Sequence, residues 1–239
     1  LGLSVARKIV ASGGQAVLLD INDEAGAAVE IELGDAVRYI RTDVTSEQSV
    51  IDTVSAAVAH MGQINVAVNC AGIIGAGRVL GREAPMPLDF FSKTIQVNLV
   101  GSFNIIKAVG AAMESNEASE DGERGVIIST ASVAAYDGQI GQAAYSASKA
   151  GIVGMTLPIA REYARIGVRV NAVAPGIFWT PMVDGMPEHV QESLSASIPF
   201  PSRLGKPEEY AELVAHIVEN GYLNGETIRL DGAVRLAPK

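Results

Sequence analysis

The sequence carries a single cysteine, Cys70, in 239 residues. That excludes an internal disulfide and any zinc cage built from several thiolates, and it suits a reducing compartment. Its three histidines, His60, His189 and His216, are scattered without ligand spacing, so no metal site is expected. Positive charge is scarce as well. Lys and Arg number 18 against 27 Asp and Glu, a formal net charge of -9 and a pI near 4.9, which disfavours nucleic acid or an anionic membrane surface as a general partner. No apolar run reads as the roughly 18 to 20 residues that span a bilayer. The chain has no initiator methionine and opens on a helix-like pattern (Leu3, Val5, Ala6, Ile9, Val10), so a targeting segment is not legible. What is present is an ordinary globular balance, 48% hydrophobic and 19% charged. It is enough for one α/β domain over residues 1–239 with a full core.

Short apolar runs alternate with helical patterns along the whole chain. Strands are expected at 15–20, 36–41, 64–68, 126–129, 168–173 and 226–230, each followed by a polar or glycine-containing break. Helices are expected at 23–33, from Ser46 to about Met61, over 88–113, from Ala143 to about Arg165, and over 207–219, with Ser46 as an N-cap. Residues 114–124 read as an acidic, solvated loop. Residues 177–206, rich in proline, read as a lid over a substrate. Strict alternation of this kind is the signature of a doubly wound parallel sheet covered on both faces.

In such a sheet, ligands bind beyond the carboxyl ends of the strands. The punctuated segments fall there: Asp20, Asp43-Val44, Asn69 to Gly72, Ser129 to Ser132, and Pro175-Gly176. The most chemical of them leads into Tyr145-Ser146-Ala147-Ser148-Lys149. Tyr and Lys four residues apart share a helix face, where an ammonium beneath a phenol would favour the phenolate and make the pair an acid/base. Ser132 is a neutral donor able to hold a substrate oxygen beside that phenol.

Asn69-Cys70-Ala71-Gly72, Asn98, Ser132, Tyr145-x-x-x-Lys149, and Pro175-Gly176 followed by Thr180 stand together in one order and spacing. In this the chain closely resembles the short-chain dehydrogenase/reductase family, along essentially its whole length. The resemblance implies a Rossmann-type fold, a nicotinamide cofactor, and Asn98, Ser132, Tyr145 and Lys149 as a catalytic tetrad. One departure concerns the start. The family's first strand and glycine-rich turn have no counterpart, only Gly2 matching the last glycine of that turn. About 15 to 20 preceding residues, a strand and its turn, are therefore expected to belong to the protein, and without them the sheet would lack a central member.

The resemblance also distributes roles. Asp20, with no arginine beside it in Leu19-Asp20-Ile21-Asn22, favours NAD over NADP by accepting the ribose hydroxyls, or it caps the next turn. Asp43 and Val44 are implied to hold the adenine, with a plain helix cap as the alternative for Asp43. Asn69, Ala71 and Gly72 let backbone approach the adenosine ribose, and Cys70 reads as a small buried hydrophobe. Asn98 either holds a water joined to Lys149 or is a structural amide that kinks its helix. Lys149 is implied to contact the nicotinamide ribose and Thr180 the carboxamide. Gln139 is a substrate contact or a solvated loop residue. Trp179, Met182, Met186 and Phe200 line an acyl pocket or pack the core.

Within the family the chain looks most like the type-2 3-hydroxyacyl-CoA dehydrogenases. The resembling runs include Ala67 to Gly72, Gly125 to Ser129, Ala131 to Ala135, Pro199 to Gly205 and Leu230-Asp-Gly232. This implies NAD-linked oxidation of (S)-3-hydroxyacyl-CoA in fatty acid metabolism, a homotetramer, and a cytoplasmic location, or a mitochondrial one in a eukaryote. A 3-oxoacyl carrier-protein reductase and a non-catalytic nucleotide sensor of the same fold are the alternatives.

Overall fold

Six strands form where aliphatic runs meet turn signals, and helices follow all but the last of them. The computed structural model describes residues 1–185 and 187–238. The elements are α1 (Gly2–Ala11), β1 (Ala16–Asp20), α2 (Asp23–Leu33), β2 (Val37–Arg41), α3 (Glu47–Met61), β3 (Val66–Asn69), α4 (Leu88–Ile95), α5 (Gly101–Met113), β4 (Gly125–Thr130), α6 (Ala143–Tyr163), β5 (Val168–Pro175), α7 (Pro181–Asp184), α8 (Glu188–Ala196), α9 (Pro207–Glu219) and β6 (Thr227–Leu230). Local chemistry sets the boundaries. Asn22 accepts from Ala25 N at the start of α2, and Ser46 accepts from Ser49 N at the start of α3, each satisfying an amide that the first helical turn leaves without a partner.

Every ladder is parallel, in the orders β1-β2 and β3-β4-β5-β6. Among the described residues these ladders are separate, and β4 and β5 are buried along their whole length, whereas β1 and β3 are largely half-exposed. The pleat sends alternate side chains to opposite faces. Ile127, Val168 and Val170 pack with Val50, Val54, Ile105, Ile106 and Ile159 of α3, α5 and α6. Val126, Ile128 and Val173 pack with Val5 of α1 and with Tyr210, Val214 and Ile217 of α9. At about 1.5–3 kcal/mol for each large apolar side chain fully buried, these two layers hold the carboxyl ends of the central strands in one place.

The expected helix over 88–113 is continuous, with a π-helical segment at Gln96–Val100 joining α4 to α5. At 26 residues it is also long and apolar enough to cross a bilayer, which corrects the expectation that no stretch has that character. Interrupting polar residues hid it in the sequence, and here Asn98, Ser102 and Asn104 are buried and hydrogen-bonded. The 114–124 segment is largely exposed, as expected, but it is tied to the core at two points. Glu123 makes a two-pronged ion pair with buried Arg169 on β5, and Asn116 bonds the carbonyls of Ile64 and Arg124. The 177–206 segment contains α7 and α8 and is closed at its base by Trp179 N to Gly205 O and Gly205 N to Ile177 O. Val183, Ile198 and Leu204 pack there with Val234.

Arg169 also donates to the carbonyls of Ile217, Val218, Asn220 and Leu223. Arg169→Ala should lower unfolding stability by about 3 kcal/mol, the low end for breaking a buried pair because Glu123 is partly exposed. Urea titration of both proteins checks this, and an unchanged midpoint would remove Arg169 as the clamp.

Candidate active site

Helix α6 begins at Ala143, so Tyr145 lies in its first turn and Lys149 one turn further on the same face. The Lys149 Nζ sits 5.8 Å from the centre of the Tyr145 ring. Lys149 is only 5% exposed, and its Nζ donates to the Thr130 carbonyl at the end of β4 over 2.7 Å. Ser132 follows that strand. Its Oγ accepts from Ala134 N at 3.1 Å, and its hydroxyl is near enough to the Tyr145 phenol to oppose the rise in the phenol's pKa.

The electrostatics differ from the simple pairing expected from the sequence. Burial pushes the Tyr145 phenol above its ordinary pKa, with the Ser132 hydroxyl opposing the rise. Burial also pulls Lys149 down to about 8, opposed by the nearby Cys70. The expectation that an ammonium would lower the phenol is corrected: both groups are desolvated, which disfavours the charged form of each, and the Nζ hydrogen bond goes to a backbone carbonyl. The resting pair is a protonated phenol beside an amine that loses its proton readily.

Asn98 is fully buried in the π-helical segment. Its Oδ1 accepts from Ile73 N at 2.8 Å, and its Nδ2 donates to Ile73 O at 2.9 Å and Ser148 Oγ at 3.0 Å. The side-chain amide thus clamps the loop after Gly72 to α6, a role distinct from both the water relay and the helix kink expected from the sequence. A Cβ placed on Gly72 would come within 3.2 Å of Asn98 Oδ1 and 3.6 Å of Lys149 Nζ, so glycine here keeps the approach to Lys149 open. Gly2, at the head of α1, is as closely fitted, since a Cβ there would lie 3.3 Å from Cys70 Cβ.

The Asn69 amide points inward to Ser129 Oγ at 3.2 Å, and Ala71 is exposed. Asp20 Oδ1 accepts from Asn22 N, so the carboxylate caps the turn and is also exposed at the end of β1. The strand register places Arg41 opposite Asp20, an arginine that local sequence could not reveal. Its guanidinium is engaged by Ile21 O and Asp23. Asp43 accepts from both the amide and hydroxyl of Thr45, which hold its carboxyl below the usual range, while Ser46 caps α3. Val44 O accepts from Asn104 Nδ2 at 3.0 Å, which pins this segment to α5.

Pro175 is buried, and Gly176 N donates to Leu230 O. Thr180 precedes α7, its carbonyl accepting from Asp184 N. Gln139 is only partly exposed. Its Nε2 donates to Ala237 O at 2.9 Å, so the side chain ties the loop before α6 to the C-terminal segment. Trp179 and Phe200 are exposed, Phe200 at 82%, and neither lines an enclosed cavity among the described residues. Met186 and the side chain of Met182 lie outside what is described. A surface concavity lined by Arg78, Arg82, Met86 and Phe90 adjoins the loop before α6, Gly77 N donating to Gly141 O at 2.7 Å.

The arrangement therefore gathers a phenol, a hydroxyl and a buried amine at the carboxyl ends of β4 and β5, with glycines and Asn98 beside them. Sequence reasoning missed Ser148, Asn104, Thr130 and Tyr210 as parts of this network. Ser148, inside the Tyr-to-Lys motif, and Thr130, inside the Ser129 to Ser132 segment, carried a signal.

Residues 1–234 match a family model described as enoyl-(acyl carrier protein) reductase. The chain belongs to the short-chain dehydrogenase/reductase family. Among its members, this short-chain dehydrogenase is 51% identical to human 3-hydroxyacyl-CoA dehydrogenase type-2, the match covering all of the chain and 92% of the relative. It is 48% identical to the Drosophila melanogaster protein of the same name, over 100% of the chain and 94% of the relative. The crystal structure of 3-hydroxyacyl-CoA dehydrogenase type-2 from Mycobacterium avium superposes with a TM-score of 0.96 at 42% identity, covering 100% of the chain and 93% of that structure. The protein is an oxidoreductase with a Rossmann-like fold, and enzymes of this family generally use a nicotinamide cofactor. The residues present fit one. A Cβ on Gly2 would crowd Cys70 and one on Gly72 would crowd Asn98, so glycine keeps the backbone open at both positions.

Asn98→Ala should leave the Ile73 amide and carbonyl without their partners, costing about 2 kcal/mol. Hydrogen exchange at the Ile73 amide reads this directly and should accelerate markedly. Unchanged protection would mean that the clamp does not hold the loop.

Proposed function

We propose that the protein is an NAD-dependent dehydrogenase that interconverts (S)-3-hydroxyacyl-CoA and 3-oxoacyl-CoA. The observation that carries this reading is Lys149 buried beside the Tyr145 ring and bonded to the carbonyl of Thr130, two residues before the buried Ser132. The 3-hydroxyacyl-CoA dehydrogenase name of the full-length relatives supports the substrate class. NAD, when bound, accepts the hydride released from the alcohol carbon. Tyr145, once it has lost its own proton to solvent, takes the hydroxyl proton at its phenol oxygen, Ser132 donates a hydrogen bond to the same substrate oxygen, and Lys149, buried on the same helix face, would hold the nicotinamide ribose beside the phenol. Gly2, Gly72, Asp43, Val44, Asn69, Ala71, Pro175, Gly176 and Thr180 would contact the dinucleotide, with Asp20 accepting its ribose hydroxyls. A carboxylate at that position repels a 2'-phosphate, and Arg41 across from it is already engaged by Asp23.

Arg78 and Arg82 in the concavity before α6 supply positive charge suited to the phosphates of a CoA thioester. Exposed Phe90, Phe103 and Leu157 on the α4–α5 and α6 surfaces suit burial in a homotetramer, which light scattering of the full chain tests. A reducing location, cytoplasmic or mitochondrial, suits the free Cys70. The second reading, a 3-oxoacyl carrier-protein reductase, shares with the description of the matching family model only the acyl carrier-protein class of substrate. Turnover with acyl-CoA and acyl carrier-protein substrates and with both dinucleotides separates the two.

Tyr145→Phe should reduce turnover by about 10³-fold while NAD binding is retained, and surviving turnover would exclude the phenol as the proton carrier. Because burial raises the Tyr145 pKa, the phenol is protonated at neutral pH. Oxidation, which needs the phenolate, should therefore speed up as pH rises from neutral, and reduction, which needs the phenol, should slow. Steady-state rates measured in both directions across that range check the sign, and a flat profile for a rate-limiting chemical step would oppose it. Charge reversal of Arg78 and Arg82 to Glu should raise KM for 3-hydroxyacyl-CoA by about tenfold or more with little change for a small secondary alcohol. Equal effects on both would mean that these residues do not meet the CoA phosphates.

A further inference from the structure

We infer that Tyr210, on α9, is a positioning residue for Lys149 and acts on it through Thr130 from the opposite face of the sheet. This rests on the reading of Lys149 given above. The connection is a short run of buried hydrogen bonds. Lys149 Nζ donates to Thr130 O at 2.7 Å. The side chain of the same threonine lies 2.7 Å from the Tyr210 hydroxyl and 2.6 Å from Asn69 O.

The donors and acceptors fix the direction of this run. A backbone carbonyl only accepts, so the single Thr130 hydroxyl proton goes to Asn69 O. The bond between the two hydroxyls must then be donated by Tyr210. Cys70 Sγ sits at 3.5 Å from Thr130 Oγ1 and 3.9 Å from the Tyr210 oxygen, where its thiol proton can reach the remaining lone pair of the phenol.

Packing does not require that hydroxyl. Tyr210 is 0% exposed among Val5, Ile128, Val173 and Val214, an environment that phenylalanine would fill equally well. Burying a phenol there costs free energy unless its oxygen is satisfied, and the burial holds its pKa far above the ordinary value. The hydroxyl is aimed at the one point where two functional segments diverge. Asn69 leads to Gly72 and the loop held by Asn98, and Thr130 leads to Ser132. Locking Thr130 to Asn69 thus sets the carbonyl that receives Lys149 relative to both. Because α6 packs on one face and α9 on the other, the brace passes through the strand itself: the Thr130 side chain is gripped from the α9 side, and its carbonyl engages the lysine of α6.

The test compares Tyr210→Phe, Thr130→Val and Thr130→Ser in the full chain, with two readouts. The first is steady-state oxidation of a 3-hydroxyacyl-CoA with NAD. The second needs no turnover and is the rate at which acetic anhydride labels the Lys149 amine in the protein without cofactor, measured by mass spectrometry against exposed Lys93 and Lys107. Tyr210→Phe should lower kcat by about tenfold with KM within about twofold, since a small misplacement of a catalytic group acts on the chemical step. The same variant should label faster at Lys149 alone. Thr130→Val should behave in the same way, and Thr130→Ser, which keeps the hydroxyl, should restore both readouts.

Wild-type kcat and wild-type Lys149 labelling in Tyr210→Phe, whatever its thermal stability, would overturn the inference. Should Thr130→Val fail to fold, the Tyr210→Phe and Thr130→Ser pair decides it, because the first keeps the packing of the ring and the second loses only one methyl while keeping the hydroxyl. The amine labelling also separates this inference from the reading beneath it. A Lys149→Met variant with full turnover would remove the catalytic role of Lys149, while altered labelling in Tyr210→Phe would still establish the brace.

Discussion

An amine buried to 5% exposure needs a fixed acceptor, and in this protein that acceptor is the Thr130 carbonyl. Taking a lysine out of water costs several kcal/mol if it stays charged. The chain meets that cost by lowering the Lys149 pKa to about 8 and by giving the Nζ a short hydrogen bond. Everything around it serves to keep that bond in place. The β4 strand that ends in Thr130 is buried along its whole length, and α6, which carries the lysine, packs on the first of the two core layers.

The same burial governs the phenol. Tyr145 and Lys149 share a helix face as their spacing requires, but a low-dielectric setting raises the phenol rather than lowering it. Only Ser132 opposes the rise. The resulting resting state is neutral on the tyrosine side, a form that suits proton donation. Proton abstraction then requires that the phenol first lose its proton to solvent. This makes the site bidirectional in principle, in keeping with an oxidoreductase that handles both an alcohol and a ketone.

α1 runs from Gly2, which fits against Cys70 just after β3, and Asp20 closes β1. Lys149 is held against the carboxyl end of β4, a strand buried along its whole length.

Local patterning alone determined a great deal. The period of the apolar runs yielded all six strands and the long helices, because side-chain periodicity is a property of neighbours in sequence. The Tyr145-x-x-x-Lys149 spacing determined a shared helix face for the same reason. Tertiary structure alone decided what those groups meet. That Lys149 bonds Thr130, that Asn98 clamps Ile73, that Arg41 faces Asp20, that Gln139 is tied to Ala237, and that Tyr210 reaches the same strand end are contacts between residues far apart in the chain. The direction of the Tyr145 pKa belongs with them. It depends on how deeply the phenol is buried, and burial is set by the packing of separate elements rather than by the residues on either side.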